Sequence, residues 1–262
     1  MATKNNTTHL TYISVDHGKK IAVLTMDSPP VNSLSRGTRS GIVDGVNKLV
    51  NEPNVMGVIV RGAGQAFCAG AEISEFADGP SAVKLESLAE TIQRLENLSI
   101  PVVAIVHGYA LGGGFEVALA CHYRLATNSA KFGLPEVRLG IAPAFISPYV
   151  VQRIGFTRAR ELMLTGRRFN GKEAQAYGIV HLSCPTNELQ HCIEVELDEV
   201  RQAAPGAIAA VKELLFAVRD KPTSETVAYR AELLNTLRLG DEAQEGLSAF
   251  MEKRLAKWVT HD

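Results

Sequence analysis

The chain has 262 residues, 46% of them hydrophobic, at a mass of 28.3 kDa, long enough to bury a substantial core as one large domain and to be an enzyme unaided. A net charge of −1 and a pI near 6.7 supply no basic field for nucleic acid or an anionic membrane. Cys68, Cys121, Cys184 and Cys192 are scattered, with no CxxC pair and no zinc-like spacing, so a reduced, intracellular setting is the default expectation.

Leu10 to Val15 and Ile21 to Met26 alternate as two strands joined by a turn at Asp16, His17 and Gly18. Pro29 and Pro30 hold a loop, and from Ser35 a helix begins in which Ile42, Val46, Leu49 and Val50 recur at helical spacing, ending near Asn51 to Pro53. Val55 to Val60 reads as a buried strand that runs out into glycines through Gly62, Gly64 and Gly70. A dinucleotide fingerprint would need Gly or Ala where Phe67 stands, with a long helix starting at once, so that reading is set aside. Ala69, Gly70 and Ala71 are small, which leaves backbone as the accessible chemistry of this loop.

Leu85, Leu88, Ile92 and Leu95 mark an amphipathic helix, and Val102 to Val106 a second buried strand. Gly112 to Gly114 follow and then a helical pattern, so unpaired helix N–H groups are exposed where no side chain obstructs approach. Such an end favours negative charge. Two strand, glycine, helix units in succession are expected to join parallel strands and bring both N–H-rich loops to one sheet edge. Glu116 then opens an apolar helix, either as a capping carboxylate or as part of a site.

His122 to Ala126 is a further strand, and Pro135 and Pro143 bracket a stretch that cannot be regular helix throughout. Glu136 alone reads as a surface or capping carboxylate; with Glu116 it makes half of an acid and base pair. The remainder is mostly helical: Tyr149 to Ile154, Ala159 to Leu164, Lys172 to Ala176, a strand near Ile179 to Leu182, then Asn187 to Ala203, Ala207 to Val218, Ser224 to Leu239 and Glu242 to Trp258. A boundary between a mixed α/β core and a helical tail falls near residues 185 to 205. No apolar run nears the roughly 20 residues of a membrane helix, and neither MATKNNTTHL nor VTHD reads as a targeting signal. Cytoplasm is the expected location.

The stretches PPVNSLS (Pro29 to Ser35), AFCAGAEISEF (Ala66 to Phe76), HGYALGGGFEVALAC (His107 to Cys121), FGLPEVRLGIAP (Phe132 to Pro143) and EGLSAFMEKR (Glu245 to Arg254), in this order and at this spacing, resemble the crotonase, or enoyl-CoA hydratase and isomerase, family over nearly the whole chain. The resemblance implies a crotonase-like spiral of ββα units. Residues 1–200 would carry the CoA-thioester site, and 201–262 a helical region for trimerisation that also covers the site. It implies that the amides of Ala71 and Gly113 hold the thioester oxygen as enolate charge develops. Glu116 would act mainly on the attacking water and Glu136 mainly on the α-carbon proton.

CoA contacts carried over are Ala69, Ala71, Glu72, Ile73 and Ser74, with Leu34 as a weaker one, and Phe250, Lys253 and Lys257 on the last helix near a CoA phosphate. No cofactor beyond the CoA moiety of the substrate, no membrane and no nucleic acid is implied, and the expected assembly is a homotrimer or a dimer of trimers. The sequence departs from the family pattern at Glu72, where Asp is common, and at Gln65, often basic. It departs again at Ala144 to Tyr149, where a glycine-rich run is usual and a bulkier acyl-pocket wall is expected, as in some methylglutaconyl-CoA hydratases. Rival activities on the same scaffold are isomerisation and decarboxylation, and the rival class is a noncatalytic or RNA-binding member.

Overall fold

A computed structural model of the chain describes residues 10–50, 52, 55–77 and 86–259. Strands β1 (Leu10–Asp16) and β2 (Ile21–Asp27) form an antiparallel hairpin with Leu10 opposite Asp27. Asp16 accepts a hydrogen bond from the Lys19 amide at 3.0 Å, which pins the turn. Helix α1 (Arg36–Val50) carries the chain to β3 (Gly57–Gly62), parallel to β2, and α2 (Ile73–Ala77) and α3 (Glu86–Glu96) carry it to β4 (Val102–Val106), parallel to β3. Every residue of β4 is buried, because strands flank it on both edges and helices cover its faces. This explains an unbroken apolar run where an exposed strand would alternate.

After β4 the chain leaves the sheet as β5 (Tyr109–Leu111), enters α4 (Gly113–Ala120), and returns as β6 (Tyr123–Thr127) parallel to β4. Next come β7 (Lys131–Gly133), a 3₁₀ turn at Pro135–Leu139, α5 (Ser147–Thr165), β8 (Arg168–Asn170), α6 (Gly171–Ala176) and β9 (Leu182–Cys184). The sheets have the orders β1-β2-β3-β4-β6-β9 and β5-β7-β8. Between them lies a core in which the Phe115, Phe132 and Phe169 rings pack at 5.5 to 6.0 Å, a separation favourable for aromatic pairs. The end of the chain is helical: α7 (Leu189–Arg201), α8 (Pro205–Val218), α9 (Val227–Leu239) and α10 (Asp241–Glu252). No helix among the described residues is long and apolar enough to cross a membrane.

Several expectations shift. The three-residue strands β5, β7 and β8 escape a periodicity reading, since a run that short shows no alternation. Val55 and Met56 precede β3. Ile179 and Val180 are buried but belong to no strand; their amides bond to the Ala174 carbonyl and close the end of α6, so their apolarity reflects burial, and the strand comes later, at Leu182. The helical stretches on either side of Gly155 abut as α5, with Gly155 non-helical at φ 73° and ψ 162°. Leu85 and the end of α1 at Asn51 and Pro53 lie outside the described residues. The last helix stops before Trp258, because Lys253 adopts the left-handed conformation at φ 55° and its amide bonds to the Phe250 carbonyl. Lys257 is therefore beyond that helix.

Candidate active site

Parallel β3 and β4 end at the same sheet edge, and the loops that leave them touch. Cys68 bridges Ala110, the Cys68 amide donates to the Tyr109 carbonyl at 2.9 Å and the Leu111 amide to the Cys68 carbonyl at 3.1 Å. The first loop thus runs as an extra strand against β5. Gly70, at φ 102°, is packed so closely that an added Cβ would stand 2.7 Å from the Leu111 carbonyl oxygen and 3.7 Å from the Gly113 nitrogen. A side chain in that conformation would be strained as well as crowded. The next residue, Ala71, therefore lies beside the start of α4, and neither its amide nor that of Gly113 hydrogen-bonds a main-chain carbonyl among the described residues.

Helix α4 starts without a side-chain cap, and all its residues from Gly114 to Ala120 are buried. Glu116 is 3% exposed, so the capping reading of this carboxylate does not hold. Burial, followed by the charge of Glu136, pushes its pKa up to about 8. Glu136 comes from the 3₁₀ turn whose start Pro135 sets. Its Oε1 leans on Gly112, and its Oε2 is buried with no hydrogen-bond partner in the protein. Burial raises its pKa too, against a lowering by its own amide. Two acids, both pushed by burial toward the protonated form and one of them also sensing the other's charge, suit proton transfer at a site.

The candidate CoA loop is well ordered by polar contacts. Both oxygens of Glu72 are engaged, by the Ser33 hydroxyl at 2.6 Å and the Ser74 hydroxyl at 3.0 Å. Ile73 is 59% exposed beside them, and Ala69 is half-buried. Leu34 is 1% exposed within the core, and what it offers the loop is backbone, through a bridge to Ala71 and an amide bond to the Gly70 carbonyl at 2.8 Å. In the tail, Phe250 is 83% exposed and Lys257 pairs with Glu245 at 3.5 Å.

Three supporting residues were not among the sequence-based candidates. Asn32, left-handed and 2% exposed, uses its side chain to bind the Ser28 amide and the carbonyls of Ala63 and Ala66. Arg39 is buried although it lies on a helix in a polar stretch. Tyr149, on α5, donates to Glu96 at 3.4 Å; burial, then Glu96 and Glu116, push its phenol up to about 12. The sequence hint for Asn32 was its place in PPVNSLS; Arg39 and Tyr149 gave none, since only the fold turns them inward.

The family model for enoyl-CoA hydratase/isomerase matches residues 16–261. A probable enoyl-CoA hydratase of Bacillus subtilis is 32% identical over 92% of this chain and 96% of its own length. A short-chain-enoyl-CoA hydratase of Clostridium acetobutylicum is 32% identical over 90% and 92%. Among solved structures, an enoyl-CoA hydratase/isomerase from Marinobacter aquaeolei superposes with a TM-score of 0.88 at 33% identity, covering 95% of this chain and 99% of that one. With its crotonase fold and its match along nearly the full length, the chain belongs to the enoyl-CoA hydratase/isomerase family.

Proposed function

We propose that the protein adds water across the 2,3 double bond of a 2-enoyl-CoA to give a 3-hydroxyacyl-CoA. The thioester oxygen sits between the Ala71 and Gly113 amides, and the positive end of α4 reinforces them. As water oxygen bonds to the β carbon, its proton passes to ionised Glu116, the π electrons move onto the thioester oxygen, and the α carbon takes a proton from Glu136. Both new bonds form on one face. Preorganised donors hold the enolate more tightly than the ground-state carbonyl, each at about 3 kcal/mol of barrier.

The observation that carries this reading is the convergence on α4's first turn of a helix amide, the Gly70 and Ala71 loop and two acids with raised pKa values. Burial favours the protonated form of both acids in the free protein; the productive complex is the one in which Glu116 is ionised and Glu136 carries its proton. Glu136 is near enough for its charge to raise the pKa of Glu116.

CoA is held along Ala69, Ala71, Glu72, Ile73 and Ser74, with Lys253 and Lys257 toward a phosphate and Phe250 alongside. Residues 201–262 assemble the chain into trimers. In the stretch expected to wall the acyl pocket, Phe145 is partly exposed whereas Ile146 is core, so Phe145 rather than Ile146 narrows it toward short or branched acyl groups. A kinetic panel tests the reading: crotonyl-CoA and 3-methylglutaconyl-CoA should be hydrated, with Glu116→Gln and Glu136→Gln as controls. Hydration of neither, alongside double-bond migration in a 3-enoyl-CoA, would make the protein an isomerase.

A further inference from the structure

We propose that Arg39 and Glu75 form a positioning clamp that aims the Ala71 amide at the thioester oxygen. The proposal rests on the reading of Ala71 as an oxyanion donor. The Gly113 amide is anchored by α4 itself, whereas Ala71 lies between a left-handed glycine and the short helix α2 and has no regular element of its own. Its loop hangs from residues 31–34: the Ala69 amide bonds to the Val31 carbonyl at 3.0 Å, the Leu34 amide bonds to the Gly70 carbonyl at 2.8 Å, and Leu34 bridges Ala71. Whatever fixes Leu34 therefore fixes the direction of Ala71.

Arg39 does so from the first turns of α1. One of its guanidinium nitrogens donates to the Leu34 carbonyl, and another donates to Glu75 Oε2 at 3.0 Å. Glu75 lies one helical turn beyond Ala71, and its Oε1 accepts from the Arg36 amide at 2.7 Å, at the start of α1. The contacts close a ring: Ala71 to Leu34 by the bridge, Leu34 to Arg39, Arg39 to Glu75, and Glu75 back along α2 to Ala71.

Only 7% of the Arg39 side chain and 22% of the Glu75 side chain are exposed. A pair this deep is seldom a net gain over well-packed apolar residues, so its use here is directional. A planar fork holds two acceptors in fixed relation, which a lysine cannot reproduce. Oxyanion donors reward such precision, since a displacement of about 1 Å costs on the order of 10²-fold in rate. These bonds tie the pair to Leu34 and Arg36 rather than to either acid or to Gly113, so loosening it should detune one donor and leave the rest.

The test uses Arg39→Met, Arg39→Lys and Glu75→Gln in the full-length protein, with thermal unfolding, crotonyl-CoA kinetics and the absorption of bound 4-dimethylaminocinnamoyl-CoA. The band of this push-pull thioester moves to the red when its carbonyl oxygen accepts strong hydrogen bonds. Arg39→Met and Glu75→Gln should lower kcat by about 10- to 100-fold with KM within about threefold, and should shrink the red shift. Arg39→Lys should restore only part of it, since it keeps charge without the fork. Wild-type protein that shifts the probe while the folded variants shift it equally and turn over at the wild-type rate overturns the clamp alone. Wild-type protein that binds the probe without a shift overturns the oxyanion reading and the clamp with it. Should Arg39→Met not fold, Glu75→Gln carries the same test from the more exposed partner, because an amide there must turn its NH₂ toward either Arg39 or the Arg36 amide.

Discussion

Glu136 Oε1 stands 2.7 Å from where a Cβ on Gly112 would be. Gly112 is also the residue whose carbonyl accepts from the Glu116 amide at 3.1 Å, so one glycine seats the second acid against the helix that carries the first. Its φ of 50° and ψ of −123° are unfavourable for any side chain. Gly112→Ala is therefore expected to push the Glu136 carboxylate aside and cut kcat by at least about 10²-fold. Circular dichroism should show the helices retained, and a rate within about twofold of wild type would show that Gly112 does not fix the position of the Glu136 carboxylate.

Replacing either acid removes one end of the proton exchange and leaves the amides in place. Glu116→Gln and Glu136→Gln should each lower kcat on crotonyl-CoA by about 10²- to 10⁴-fold with little change in KM. Because the two act as a unit, the double variant should be barely slower than the worse single one. Multiplicative losses would mean that the acids act independently.

The pH dependence follows from the raised pKa of Glu116. Its folded value of about 8 lies above its ordinary 4.5, so between these limits the folded protein binds a proton that the unfolded chain does not. Stability from this group is complete below about pH 4.5 and is lost as pH rises through 8. His122 and His181, both lowered to about 4 chiefly by desolvation, have the opposite sign: their contribution is complete above about pH 6.5 and is lost as pH falls through 4. Melting curves should show Glu116→Gln gaining on wild type as pH rises from about 5 to 8.5, by up to a few kcal/mol. Hydration should fall off as pH rises through about 8, when the pair loses its shared proton. A gap between variant and wild type that does not grow with pH would mean that Glu116 is ionised throughout.

The tail lysines should matter only for the nucleotide end of the substrate. Lys253→Ala and Lys257→Ala are expected to raise KM for crotonyl-CoA by roughly threefold each, in the range of exposed charge pairs, and less at high salt. Crotonyl-pantetheine, which lacks the nucleotide, should show no change in steady-state kinetics. An equal rise for both substrates would move the lysines' effect away from CoA phosphate.

The main strands and the long helices were legible because each is a run with one period: β4 is uniformly apolar, and α1 presents Ile42, Val46 and Leu49 to the core. Glycine runs after β3 and β4 pointed to backbone chemistry at one edge, and the bridge from Cys68 to Ala110 joins those two loops. What stayed hidden depends on contacts between distant segments. Strand β5 is recognisable only by its partners, Lys253 ends α10 in a conformation usually left to glycine, and nothing in the pattern of α1 singles out Arg39, to which the fold brings Glu75 and Leu34. Leu34 itself contributes backbone, which no side-chain pattern reveals.

The sharpest test is a crystal structure with acetoacetyl-CoA, whose thioester keeps the carbonyl but offers no double bond to hydrate. Its thioester oxygen should lie within about 3 Å of both the Ala71 and Gly113 nitrogens, with the Glu116 and Glu136 carboxyl groups facing the α and β carbons. An oxygen bonded to only one of those amides, or an acyl chain turned away from the acids, would contradict it.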